Sequence, residues 1–216
     1  MRIISGKAKG KRLFSPRGKG IRPTADRVKE SVFDILGCQW EDKRVLDLFS
    51  GTGSLGLEAM SRGSRHVVFV EASRPALTVL RKNILHCGFA SRAVVLPMPV
   101  SRGLTLMGQR GETFHIIFAD PPYGRGWVEK TIGQILVNKI FSRNGTVIIE
   151  HTPHEPLPRK IGKLVITEQR TYGDTAISFL RYEMLDKTRD MGDSDERIDE
   201  SLNPESAVEM TRAGRE

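Results

Sequence analysis

The chain has 216 residues, 38% hydrophobic and 28% charged, which suits one globular domain with a sizeable core and leaves little room for two. Its net charge of +8 and pI of about 9.7 favour an anionic partner. No apolar run approaches the ~20 residues of a membrane span, and Cys38 and Cys87 stand far apart in no metal-like spacing. The cysteines read as reduced thiols, the N-terminus carries charge without the apolar stretch of a secretory signal, and a cytoplasmic protein without metal or disulfide is expected.

The positive charge is local. Residues 1–30 hold ten Lys/Arg against two acids, whereas residues 186–216 hold five bases against ten acids. The start, "MRIISGKAKGKRLFSP", alternates short β-prone pieces with Gly and Lys, so a small basic hairpin or arm is expected over 1–22. It looks too polar and flexible for core. Lys7, Lys9, Lys11, Arg12, Arg17, Lys19 and Arg22 are candidates to follow a phosphate backbone. "TADRVKESVFDIL" follows, with Thr24 as helix cap and apolar residues at 28, 32, 35 and 36 at helical spacing.

Residues 23–183 read as one α/β domain. Buried-strand runs at 44–49, 66–71, 93–96, 115–119 and 146–150 alternate with the helical patterns "SLGLEAMSR", "RPALTVLRKNILHC" and "WVEKTIGQILVNKIF". Such alternation predicts βαβ units and a parallel sheet covered on both faces. "KLVITEQRTYG" and "TAISFLRYE" meet at Gly173-Asp174 as a closing antiparallel hairpin. Residues 184–216 lack aromatics and apolar periodicity and predict a disordered acidic tail.

Two stretches carry the chemistry. "VLDLFSGTGSLGLEAM" sets Gly51-x-Gly53-x-x-Gly56 between strand and helix, the pattern of a turn that lets a nucleotide-containing ligand approach the backbone. Asp47 on that strand would repel a pyrophosphate but attract the ammonium of S-adenosylmethionine. Glu71, at the end of the second strand, stands where an acid binds both ribose hydroxyls. S-Adenosylmethionine is therefore expected rather than NAD.

The second stretch, "HIIFADPPYG", closes the fourth strand with Asp120, Pro121, Pro122 and Tyr123. An exocyclic base amine is a poor nucleophile, because its lone pair is delocalised into the ring. The Asp120 carboxylate and a carbonyl of the proline corner can bind both amine hydrogens and turn that lone pair toward a methyl donor. The prolines fix φ and remove N–H donors, and Tyr123 offers a stacking face. Orientation then carries most of the catalysis.

At these residues the chain resembles the RsmD family, bacterial enzymes that methylate N2 of a guanine in 16S ribosomal RNA. The resemblance runs from Met1 to about Glu183 and is carried by "MRIISGKAKGKRL", "RPTADRVKESVFDIL", "VLDLFSGTGSLGLEAMSRG", "VFVEAS" and "DPPYGRG". It implies a class I S-adenosylmethionine-dependent methyltransferase: a Rossmann-like, seven-stranded, mostly parallel sheet with a C-terminal antiparallel hairpin. It implies cofactor contacts from Asp47, Phe49, Ser50, Gly51, Thr52, Gly53, Glu71 and Ala72, and catalysis by Asp120 through Tyr123. Arg22, Thr24, Asp26 and Arg27 fall on the family's helix beside the cofactor pocket, where they order the site and meet RNA. The implied partner is 16S rRNA, within an assembling 30S particle, with no membrane and a monomeric enzyme. One departure stands out: in "VVLPMPVSRG", Met98 and Pro99 offer no side-chain acceptor to the cofactor adenine. Two other functions stay open at this point. Asp-Pro-Pro-Tyr also suits the adenine amine of DNA, although the chain has no added groove-reading module. A non-catalytic RNA-binding assembly protein would not need the intact motifs.

Overall fold

The computed structural model describes residues 1–15, 23–124 and 126–183, with residues 23–25 given by backbone alone. The tail expected over 184–216 lies outside the described residues, as do Arg17, Lys19, Arg22 and the side chain of Thr24.

Helix α1 spans Pro23–Leu36. Then β1 (Arg44–Leu48), α2 (Ser54–Arg62), β2 (His66–Glu71), α3 (Arg74–Cys87) and β3 (Ala93–Pro97) alternate. The alternation continues with α4 (Val100–Gln109), β4 (Phe114–Ala119), α5 (Trp127–Val137) and β5 (Phe141–His151). Strands β6 (Lys160–Ile161), β7 (Leu164–Tyr172) and β8 (Thr175–Tyr182) complete the order. The sheet runs β3-β2-β1-β4-β5-β8-β7-β6. β1 to β5 pair in parallel, and β8 joins β5 antiparallel. The two-residue β6 makes eight strands where seven were expected.

The sheet is buried on both faces, as continuous apolar runs such as "HVVFVE" require. One core joins Phe33, Leu57, Met60, Phe69, Leu80 and Phe118 between the sheet and α1 to α3. The other joins Leu46, Val70, Leu104, Ile117, Ile132 and Ile135 under α4 and α5. The strand order reverses between β1 and β4, so the crevice at their carboxyl ends is where this architecture binds ligands.

Four local expectations need correction. Helix α1 already includes Pro23, so Thr24 lies in its first turn rather than at the cap; Pro at the first helical position is the favoured start. The segment "VSRGLTLMGQ", given no element from sequence, is α4. Its Gly103 lets the helix lie so close to β2 that a Cβ there would meet Val70 Cγ1 at 3.0 Å. Helix α5 stops at Val137 rather than near 141; Lys139 turns the chain with φ 53°, and Phe141 opens β5.

The fourth correction concerns the N-terminus. Arg2 pairs with Arg12 in an antiparallel bridge, so residues 1–13 form the expected hairpin. It is not a detached arm. Ile3, Ala8 and Leu13 are buried in the α1–α3 core, and Met1–Glu183 forms one compact unit. The buried Glu58 carboxylate of α2 accepts the amides of Ile4 at 2.8 Å and Ser5 at 3.0 Å. Of the basic side chains, Lys7, Lys9, Lys11 and Arg12 remain exposed.

Candidate active site

The glycine turn between β1 and α2 is built by close approach. Gly53 adopts φ 81°, and a Cβ there would sit 2.4 Å from Leu80 Cδ1. A Cβ on Gly56 would sit 2.3 Å from the Phe69 ring, so only glycine lets α2 pack onto β2. Gly51, by contrast, is uncrowded, with the Phe49 carbonyl oxygen 3.9 Å from where a Cβ would sit, and its φ of 55° is what favours glycine. Phe49 takes φ 55°, an uncommon conformation for a residue with a side chain, and lines the adjacent cavity.

That cavity, about 180 Å³, is lined by Phe49, Glu71, Ala72, Pro99, Ser101 and Trp127 among others. It lies at the carboxyl ends of β1, β2 and β3, beside the strand-order reversal. Glu71 on its wall holds two amides: Oε2 accepts the Gly51 amide at 2.7 Å and Oε1 the Ser73 amide at 2.7 Å. The carboxylate thus braces the glycine turn and retains lone pairs for a ligand hydroxyl. Ser50 is buried and bonds back to the carbonyls of Asp47 and Val70. The Thr52 carbonyl accepts from Asn83.

Asp47 lies behind the turn in the ligand-free fold. It is 3% exposed, and its Oδ2 accepts the Gly56 amide at 2.9 Å, so it holds the turn from inside and does not line the cavity. Burial pushes its carboxyl up to about 8; the Asp120 and Glu71 carboxylates add to the shift and the Gly56 amide opposes it.

The Asp-Pro-Pro-Tyr corner stands at the end of β4. Pro121 is buried, whereas Pro122 and Tyr123 are exposed. Asp120 presents an outer side to water and an inner side to protein. Desolvation of its inner side, then the Glu150 carboxylate, pushes its carboxyl up to about 7, although the residue as a whole is exposed. The Tyr123 hydroxyl donates to Glu150 Oε1 at 3.0 Å while its ring stays 53% exposed. The amides of Gly124 and Gly126 donate to Glu155 at 3.2 and 3.4 Å, which ties down the loop beyond Tyr123. Glu150 and Glu155 went unnoticed in the sequence. The acid closing "TVIIE" was the only available signal for Glu150, and Glu155 lies 31 residues from its partner Gly124.

Arg27 is exposed on α1, and neighbouring Asp26 has a buried Oδ1 without a hydrogen-bond partner among the described residues. The structure therefore gathers Phe49, Glu71 and Ala72 around one cleft, with Gly51 bonded to Glu71 beside it. Asp120 stands close enough for its carboxylate to act on Asp47, and Asp47, Ser50 and Gly53 shape the turn behind that cleft.

A family model described as "Conserved hypothetical protein 95" matches residues 1–181. The chain belongs to this family, the RsmD family. The YlbH protein of Bacillus subtilis (strain 168) is 35% identical over 181 residues, covering 84% of this chain and 98% of its own. A relative in Escherichia coli (strain K12), named "Ribosomal RNA small subunit methyltransferase D", is 32% identical, covering 82% and 87%. The solved structure of the yhhF protein of Escherichia coli superposes with a TM-score of 0.76 at 31% identity, covering 86% of this chain and 99% of its own. The fold is that of class I methyltransferases. No helix among the described residues is long and apolar enough to cross a membrane.

Proposed function

We propose that this RsmD-family protein transfers a methyl group from S-adenosylmethionine to the exocyclic N2 amine of a guanine in 16S rRNA. On this reading it works as a cytoplasmic monomer on an assembling 30S particle. The observation that carries the reading is Glu71 on the wall of the cavity, its oxygens held by the Gly51 and Ser73 amides, with no Lys or Arg among the residues that line the cavity. Such a site repels a pyrophosphate and favours a ligand carrying ammonium and sulfonium groups. The E. coli relative's name supports ribosomal RNA of the small subunit as the substrate class.

The residues present fit this cofactor. The open backbone at Gly51 and the cavity beside Glu71 and Ala72 suit an adenosine, with Glu71 positioned for ribose hydroxyls. When bound, the cofactor supplies an electrophilic methyl group on sulfur. Asp120 accepts one hydrogen of the target amine, and a carbonyl of the Pro121-Pro122 corner accepts the other. The nitrogen lone pair is thereby held toward the methyl group; transfer would leave S-adenosylhomocysteine, and the methylated nitrogen would pass its extra proton to the Asp120 carboxylate or to water, so no separate strong base is needed. Tyr123, fixed by its bond to Glu150, presents its free ring face to the extruded base. Arg27 and the exposed Lys7, Lys9, Lys11 and Arg12 offer positive charge to the RNA backbone.

Radiolabelled methyl transfer to 30S particles, free 16S RNA and duplex DNA tests the substrate. Label on guanine N2 of the ribosomal substrates is expected, and label on DNA alone would overturn the reading. Asp120→Ala should slow transfer roughly 100-fold, the scale for losing a preorganised polar group. Its affinity for S-adenosylhomocysteine should change far less.

A further inference from the structure

The N-terminal hairpin turns its basic side chains outward while its backbone is fastened inward on either side of the glycine turn. Asn83, in the third turn of α3, is wholly buried. Its Oδ1 accepts the Phe14 amide at 2.8 Å, and its Nδ2 donates to the Phe14 carbonyl at 3.1 Å and the Thr52 carbonyl at 2.9 Å. These partners fix the amide's orientation, because a flipped Asn83 would set its oxygen against two carbonyls. Thr52 lies between Gly51, whose amide meets Glu71, and Gly53, whose φ only glycine adopts readily.

The other side of the turn is tied in the same way. Lys29 of α1 is 3% exposed, and its Nζ donates to the Arg2 carbonyl at 2.6 Å and to Ser54 Oγ at 3.2 Å, at the first residue of α2. Neither Asn83 nor Lys29 lines the cavity. A glycine-rich turn has many alternative conformations to lose, so cofactor affinity depends on how far the protein has already fixed it.

We infer that Asn83 is a positioning residue that clamps the glycine turn to the N-terminal hairpin. Cofactor affinity is thereby linked to whatever binds the hairpin's basic face. The linkage rests on the cofactor and RNA assignments above. By reciprocity, RNA seated on Lys7, Lys9 and Arg12 raises cofactor affinity by the same factor as cofactor raises RNA affinity.

Asn83→Leu keeps the branched shape and heavy-atom count, with bulkier methyl groups in place of the amide atoms, and removes all three bonds. Asn83→Asp keeps an acceptor for the Phe14 amide but sets a carboxylate oxygen against the Thr52 carbonyl. Calorimetry with S-adenosylhomocysteine, at a temperature where circular dichroism shows each variant folded, should give affinities about tenfold weaker for both, within the usual range of coupling between sites. In wild type, saturating 16S RNA should tighten S-adenosylhomocysteine binding, and in both variants that factor should fall toward one. Leu164→Ala, in the opposite core, should lower the melting temperature and leave the affinity unchanged. Unchanged affinity in both Asn83 variants would overturn the inference. So would equal weakening in Leu164→Ala, since Asn83 would then act through global stability alone. A wild type that binds S-adenosylhomocysteine without any effect of RNA would overturn the linkage, whereas a wild type that does not bind it at all would instead sink the cofactor assignment.

Discussion

Cofactor binding should release protons, and the affinity should rise with pH. In the ligand-free protein burial pushes the carboxyls of Asp120 and Asp47 up to about 7 and 8, and that of Glu150 upward as well. A cation entering the cleft favours the ionised form of each carboxyl it faces, so protons leave as it binds. Asp120 is the group beside the reacting sulfur in the proposed mechanism, and its carboxyl, pushed up toward about 7, is partly protonated at neutral pH. Because Asp120 is also exposed, binding should release at most about half a proton at pH 7, and more at lower pH. Integrated from pH 6 to 7.5, that release amounts to an affinity gain of at most about eightfold. Asp47 is sealed beneath the turn, so its share is smaller.

The assay is calorimetry of S-adenosylmethionine in two buffers of different ionisation enthalpy, repeated along the pH range below 7.5. S-Adenosylhomocysteine is the internal control, because its sulfur is uncharged and its proton release should be clearly smaller. A flat or falling affinity for S-adenosylmethionine across this range would refute the placement of Asp120 beside the sulfonium. The same shifts act on folding. Both carboxyls hold protons in the native state above their unfolded pKa values, so without ligand the unfolding free energy should fall as pH rises from about 4 to 8.

Glu71→Ala removes the acceptor for the Gly51 and Ser73 amides as well as the ribose ligand, and should weaken S-adenosylhomocysteine binding by about 2 kcal/mol, roughly 30-fold. Calorimetry reads this directly; a change under threefold would remove Glu71 from the cofactor site. Glu155→Ala frees the amides of Gly124 and Gly126, so kcat should drop about tenfold while S-adenosylhomocysteine affinity holds, as expected when a positioning contact is lost. An unchanged kcat would mean that the loop is rigid without Glu155. Glu58→Ala strips the buried Lys29 of its counter-charge and the amides of Ile4 and Ser5 of their acceptor, which should cost about 3–5 kcal/mol. For a unit of this size the melting temperature should fall by roughly 6–20 °C. A fall of under 2 °C would show that the hairpin contributes little to the fold.

The parts of the molecule legible in the sequence are those whose signal is local. The glycine turn announces itself because close packing at Gly53 and Gly56 admits no side chain. The parallel strands show as apolar runs because both faces are covered. Helix α4 escaped notice for a physical reason: Gly103 and Gly108 weaken its helical pattern, and their small size is what lets the helix press against its neighbours. Asp47 was legible as an acid on the first strand, but its orientation was not, because the choice between cleft and interior depends on the Gly56 amide that captures it.

The hairpin misled for the opposite reason. Ile3, Ala8 and Leu13 are spaced among Gly and Lys with no helical or strand period, so the segment reads as a solvated arm. Its burial depends on partners that lie 53 to 69 residues away: Glu58, Ser61 and Asn83, three polar side chains on α2 and α3 that take up its backbone amides. A polar residue on a helix carries no mark of a distant backbone partner, and an amide carries none at all. The same long-range bonds tie the hairpin to the glycine turn through Phe14, Asn83 and Thr52. Deleting residues 5–20 would remove Ala8 and Leu13 from the core and leave the buried Asn83 amide without Phe14. Such a deletion disturbs the cofactor turn along with the basic charge, so only charge reversal at exposed positions such as Lys7 and Lys9 reads the phosphate contacts by themselves.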